Sequence, residues 1–167
     1  MMGKTHLIAG LAAGVASIVV NDMPYPAIVL AGVAVGSLAP DIDHPKSIIS
    51  RKLRPVRWLA SLFKHRGFFH SFIGWFAVVL AMTVLVSPVT SINSDISVMV
   101  GIFIGAFAYG YILHIAMDAM TTQGVKLFYP HQGYIGLGVV KTAGLSETVF
   151  TVLWVVFMGL GAYGNFI

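Results

Sequence analysis

SVMVGIFIGAFAYGYILHIAMDAM, residues 97–120, carries no charged or imidazole side chain until His114 and Asp118, close to its end. An α-helix needs about 20 apolar residues to cross a hydrocarbon core, so this stretch reads as a membrane span with an imidazole and a carboxylate at one end. Ionisable groups inside spans are costly and usually functional.

Further apolar stretches cover about residues 5–21, 27–39, 69–87 and 147–165. Of 167 residues, 57% are hydrophobic and 10% charged, and the mean hydropathy is +0.88, well beyond the roughly half-apolar make-up of soluble domains. The expectation is an all-α polytopic membrane bundle of about five spans, with residues 1–167 forming a single membrane-embedded domain. The stretch at 27–39 is short for a span. It reads as a tilted or incomplete crossing, or as one arm of a hairpin with the first stretch, turned by the two prolines of NDMPYP at 21–26. Lys4 followed by an apolar run also describes a secretory signal peptide. The short basic region and the uninterrupted later spans favour a retained helix, and cleavage would discard His6. GLAAG at 10–14, GVAVG at 32–36 and GIFIG at 101–105 place small residues four apart, a spacing that favours close helix packing in lipid.

Cations set the orientation. Seven of the ten (Lys46, Arg51, Lys52, Arg54, Arg57, Lys64, Arg66) lie between the second and third stretches, and Lys4, Lys126 and Lys141 fall where the same side is reached again. The positive-inside rule places that side, with the N-terminus, in the cytoplasm. Within it, SIISRKLRPVRWLASLFKHR at 47–66 interleaves apolar residues with cations. Such a segment suits the membrane surface and its anionic headgroups, so membrane lipids are the expected partners and nucleic acid is not.

The polar side chains gather at this same end. His6 opens the first stretch, Asp41, Asp43 and His44 follow the second, His65 and His70 precede the third, and His114 and Asp118 close the fourth. His114 and Asp118 are four apart, so both project from one helix face about a turn from each other. In PDIDHP at 40–45, two prolines bracket a turn from which Asp41, Asp43 and His44 can surround an ion. Structural alternatives exist for each: His6 as a hydrogen-bonder at the headgroup boundary, Asp41 as a helix stop, Asp43 as a cap, His114 with Asp118 as a buried pair. His131 and Glu147 read as a loop residue and a helix-start residue. The chain has no cysteine, which rules out thiolate ligands and leaves nitrogen and oxygen donors. Such donors suit zinc, and also manganese or iron. Eight candidates exceed what one tetrahedral ion needs, so two divalent ions bridged by Asp41 or Asp43 are an option, with Arg66 on an anionic substrate oxygen.

The ordered set GKTH (3–6), PDIDH (40–44), HRGFFHS (65–71) and HIAMDAMTTQGVKLFYP (114–130) resembles the YdjM-like family of bacterial inner-membrane, metal-dependent hydrolases described as LexA-regulated. The resemblance implies metal ligands at His6, Asp41, Asp43, His44, His65, His70, His114 and Asp118, with the segment 121–130 shaping the site. Together the two lines lead to one expectation: a membrane-bound hydrolase that cleaves a phosphoester of an amphiphilic, lipid-like substrate with a metal-activated water, Asp43 and Arg66 taking catalytic parts. The alternative is a non-catalytic membrane protein that binds metal for structure or transport. Ligands at one end of the spans, rather than at the midplane, favour the enzyme.

Overall fold

The computed structural model describes residues 1–43, 67–91 and 93–164, with the main chain alone at Asp43. Five α-helices carry it: α1 (Gly3–Asn21), α2 (Pro26–Leu38), α3 (Phe72–Thr90), α4 (Ser94–Ala119) and α5 (Leu145–Tyr163). Each corresponds to one of the five apolar stretches. The described residues contain two isolated β-bridges and no strand, so the architecture is the expected all-helical membrane bundle. The basic segment 47–66 lies outside the described residues.

Local chemistry sets the helix limits. α2 begins at Pro26, where a missing N–H costs nothing, and runs into a 3₁₀ turn, Ala39–Asp43. Even with most of that turn the apolar helical stretch Pro26–Ile42 is shorter than a span, whereas α1, α3, α4 and α5 are all long and apolar enough to cross a membrane. The Ser71 side chain caps α3, its hydroxyl accepting from the Gly74 amide at 3.1 Å and donating to the Phe68 carbonyl at 2.6 Å. Asn93 caps α4 by accepting from the amides of Asp95 and Ile96.

α2 packs most extensively on α4, α1 lies between α2 and α5, and α3 packs on α4. Gly36 and Gly110 are the points of closest approach. A Cβ on Gly36 would overlap the Phe107 carbonyl, and one on Gly110 the Val33 carbonyl, so α2 and α4 touch backbone to backbone. Of the three small-residue pairs in the sequence, GVAVG sits in such contacts, and GLAAG packs against side chains of α2, Gly10 against Ser37 and Gly14 against Leu30 and Val33. GIFIG does neither, since a Cβ on Gly101 or Gly105 would meet nothing within 4 Å. Elsewhere the bundle turns apolar side chains outward, as hydrocarbon allows: Leu85 on α3 is 78% exposed and Leu160 on α5 is 65% exposed.

The start of α1, the end of α2, the start of α3, the end of α4 and the start of α5 share one end of the bundle, which the segment 120–144 covers. That segment is stapled to α4 through its otherwise orphaned last carbonyls: Leu137 N–H donates to Ala119 O, and Val139 and Val140 N–H donate to Met120 O.

Replacing Gly36 by Ala is expected to destabilise the bundle by about 1–3 kcal/mol through overpacking. Gly101→Ala is expected to change stability by no more than about 0.5 kcal/mol. Thermal unfolding of the two variants in one detergent checks the difference.

Candidate metal centre

Four segments deliver five of the eight sequence-predicted ligands to one buried cluster. His6 comes from the first turns of α1, Asp41 from the 3₁₀ turn after α2, His70 from a second 3₁₀ turn (Phe68–His70) ahead of α3, and His114 and Asp118 from the end of α4. Of the other three, His44 and His65 lie outside the described residues, as does the side chain of Asp43; so does Arg66, the expected substrate-binding cation.

The donor atoms are close. His6 Nε2 is 3.2 Å from Asp118 Oδ1; His70 Nε2 is 3.7 Å from both Asp41 Oδ1 and Asp118 Oδ2; His114 Nε2 is 3.8 Å from Asp41 Oδ1 and 4.0 Å from Asp118 Oδ2. Ligand atoms about 2.0–2.1 Å from a zinc ion in tetrahedral array are about 3.3 Å from one another, so the spacing is of the right order for donors around an ion. Two overlapping triads, His6–His114–Asp118 and Asp41–His70–His114, could hold a metal ion. The amino group of Met1 also contacts Asp118 Oδ1.

Hydrogen bonding tests whether these residues fit a cation. His114 Nδ1 lies 2.7 Å from the carbonyl oxygen of Ser37. A carbonyl only accepts, so Nδ1 carries the proton, and in the neutral ring Nε2 presents its lone pair toward the two carboxylates. That Nε2 is buried and has no hydrogen-bond partner among the described residues, a situation that costs about 1–3 kcal/mol if nothing compensates it. The rings of His6 and His114 are stacked, 3.6 Å between centroids and 12° from parallel. Two imidazolium ions would repel at that separation. Neutral His114, with its proton on Nδ1, sets the Nε2 lone pair against the carboxylate oxygens of Asp41 and Asp118, which a metal cation between them resolves. The donor set therefore fits a divalent ion, with a second-sphere carbonyl that fixes the tautomer.

The same geometry limits the count of ions. His114 has one ring nitrogen committed to Ser37 and can serve one ion with the other. The two triads share that nitrogen, so they cannot both be completed by His114. The sequence suggested Asp41 or Asp43 as a bridge; in the structure Asp118 also reaches both triads, Oδ1 toward His6 and Oδ2 toward His70 and His114. Asp41 is the most accessible member, its side chain 16% exposed against 2% for Asp118.

Supporting groups went unread in the sequence. Tyr111, one turn before His114 on α4, donates its hydroxyl to the Phe69 carbonyl at 2.8 Å and so holds the turn that carries His70. Thr121 donates to the Asp118 carbonyl at 2.7 Å and, through Oγ1, accepts from Gly124 N–H. The i, i+3 spacing of Tyr111 and His114 was the available signal for the first. Glu147, read as a helix-start residue, does sit in the first turn of α5. It is also 1% exposed and accepts from the amides of Met2 and Ala143, both at 2.6 Å, locking the start of α1 to α5. His131 is exposed on the covering segment, as expected of a loop residue.

Comparison with known proteins places the chain in a family. The chain is 33% identical over 150 residues to the uncharacterized protein YvsG of Bacillus subtilis, an alignment covering 88% of this chain and 85% of that relative. It is 35% identical over 94 residues to the inner membrane protein YdjM of Escherichia coli and, equally, of Shigella flexneri, covering 56% of this chain and 44% of theirs. Thus less than half of the YdjM proteins' own length is matched. No solved structure matches. The family match runs over residues 1–165, nearly end to end, and by it the chain belongs to the YdjM inner membrane protein family.

Proposed function

We propose that this protein is a membrane-embedded, metal-dependent hydrolase acting on a phosphoester of an amphiphilic substrate, with its site facing the cytoplasm. The observation that carries the reading is the convergence of three imidazoles and two carboxylates from four segments on one buried cluster, in which His114 Nε2 has no hydrogen-bond partner among the described residues. His6, Asp41, His70, His114 and Asp118 would hold a divalent ion, zinc in first place and manganese or iron as alternatives. Such an ion, when bound, acidifies water and stabilises charge on a phosphoryl oxygen.

The chain's own groups do the rest. Ser37 O holds the His114 ring in one tautomer. Burial of the cluster lowers the local dielectric and strengthens each carboxylate's pull on positive charge. Asp41 is the most accessible carboxylate of the cluster. Arg66 as the phosphate-binding cation and Asp43 as a further catalytic carboxylate are proposed from the sequence, since their side chains lie outside the described residues. Orientation rests on charge: Lys4, Lys126 and Lys141 all belong to the cluster end of the bundle, and in the sequence seven further cations fall between Asp43 and Gly67, two described residues of that same end.

Ala in place of His114 or Asp118 is expected to lower metal affinity by more than the 10–100-fold that losing a supporting partner costs, as read by elemental analysis of purified protein. Phosphate release from mixed micelles of a phospholipid or an isoprenyl phosphate is expected from wild type, with loss on adding chelator or in Asp118→Ala. Full metal occupancy with no turnover on either lipid would replace the enzyme by a non-catalytic metal-binding protein.

Orientation is checked in a chain without native cysteine. An impermeant thiol reagent added to intact cells is expected to label Ser91→Cys, at the far end of the bundle, and to spare Tyr134→Cys, at the cluster end, until the membrane is opened. The reverse pattern would place the centre outside the cytoplasm.

A further inference from the structure

Between α1 and α5, on the outer side of the helix that carries His6, runs a groove of about 410 Å³, within the range of about 300–1,000 Å³ typical of ligand sites. α1 and α5 are parallel here: Met2 meets Glu147 at one level, and Trp154 Nε1 donates to the Ala9 carbonyl at 3.1 Å further along. The lining is zoned along that direction. Toward the metal end lie Lys4, Thr5, Thr148 and Thr151; toward the bilayer interior lie Ile8, Val152, Val155 and Val156. From Thr148 to Val156 the groove follows α5 for about 12 Å at 1.5 Å per residue.

The polar end is simpler than it looks. Thr151 donates its hydroxyl to the Glu147 carbonyl at 2.7 Å, and Thr5 is hydrogen-bonded to the Glu147 carboxylate. Those two groups are spent on the protein itself. Lys4 is the lining residue that carries net charge, and it is exposed. A groove with a cation at the interface and only aliphatic side chains beneath it matches a ligand with an anionic head and a hydrocarbon tail.

We propose that the α1–α5 groove binds one anionic phospholipid, its phosphate at Lys4 and one acyl chain along Ile8, Val152, Val155 and Val156. Lys4 and Thr5 immediately precede His6, so the bound headgroup lies at the end of the bundle that holds the metal centre. The site deepens the hydrolase reading by giving an amphiphile a seat beside the centre. Only its role as a substrate seat rests on that reading.

The full chain is reconstituted into nanodiscs containing phosphatidylglycerol that bears a photoreactive group in its acyl chain, and cross-linked residues are mapped by mass spectrometry. Cross-links are expected at Ile8, Val152 and Val155, with unlabelled phosphatidylglycerol competing about fivefold better than phosphatidylcholine, the preference that one interfacial lysine confers. Lys4→Glu is expected to erase the preference. Val152→Trp is expected to remove the groove cross-links while metal content stays at the wild-type level. Equal competition by the two lipids, or cross-links at equal density on the outward face of α3 at Phe76 and Leu85, would overturn the site. His114→Ala is expected to keep the cross-links, so the hydrolase reading can fail while the lipid site stands. Turnover lost in Val152→Trp at full metal occupancy makes the bound lipid the substrate; turnover retained makes it a separate ligand.

Discussion

The hydrogen bond from His114 Nδ1 to the carbonyl of Ser37 is the constraint on which the polar end of this bundle depends. It requires a ring on α4 to reach the main chain of α2, which is possible because Gly36 and Gly110 let the two backbones touch. Ser37 stands in the last turn of α2, where carbonyls lack partners from their own helix and the helix dipole is negative. A donor is welcome there. Once the bond is made the ring has one orientation and one free nitrogen, and the carboxylates of Asp41 and Asp118 are arranged about that nitrogen.

Burying such a cluster at the end of a lipid-facing bundle needs protection on several sides. Val125, in the covering segment, joins Phe107, Tyr111 and Ile115 in an apolar group beneath the His70 turn. Met1, Ala9, Met117 and Val140 form another around the start of α1. These two groups exclude solvent from either flank of the ligands, so the charge of each carboxylate acts on its neighbours with little screening. α3 and α5, by contrast, present broad apolar surfaces outward and contribute to the centre only through their first residues or the turns before them.

Much of this was legible in the sequence. Each of the five apolar stretches became a helix, with limits displaced by a few residues, and the short second stretch is short for a visible reason: prolines at 24, 26 and 40 confine it. Gathering of His6, Asp41, His70, His114 and Asp118 at one end followed from where each falls relative to its span. Periodicity tells which face of a helix a side chain occupies, and nothing about which atom of a neighbouring helix it meets. For that reason the tautomer set by Ser37 and the reach of Asp118 across both triads were not readable. Glycine spacing shows the same limit, because GVAVG and GIFIG are alike as patterns and only the first finds a partner helix among the described residues.

The tie made by Glu147 has a consequence for assembly. His6 belongs to α1, Asp118 to α4, and the carboxylate that pins the backbone at Met2 to α5. Contacts between segments so remote in the chain form late, since loop closure must be met before they reward it. The donor set is therefore incomplete until α4 is in the membrane, and the Glu147 tie on the start of α1 forms only when α5 has joined. Any ion held by this full donor set would therefore be captured late in biogenesis, after α4 is in place.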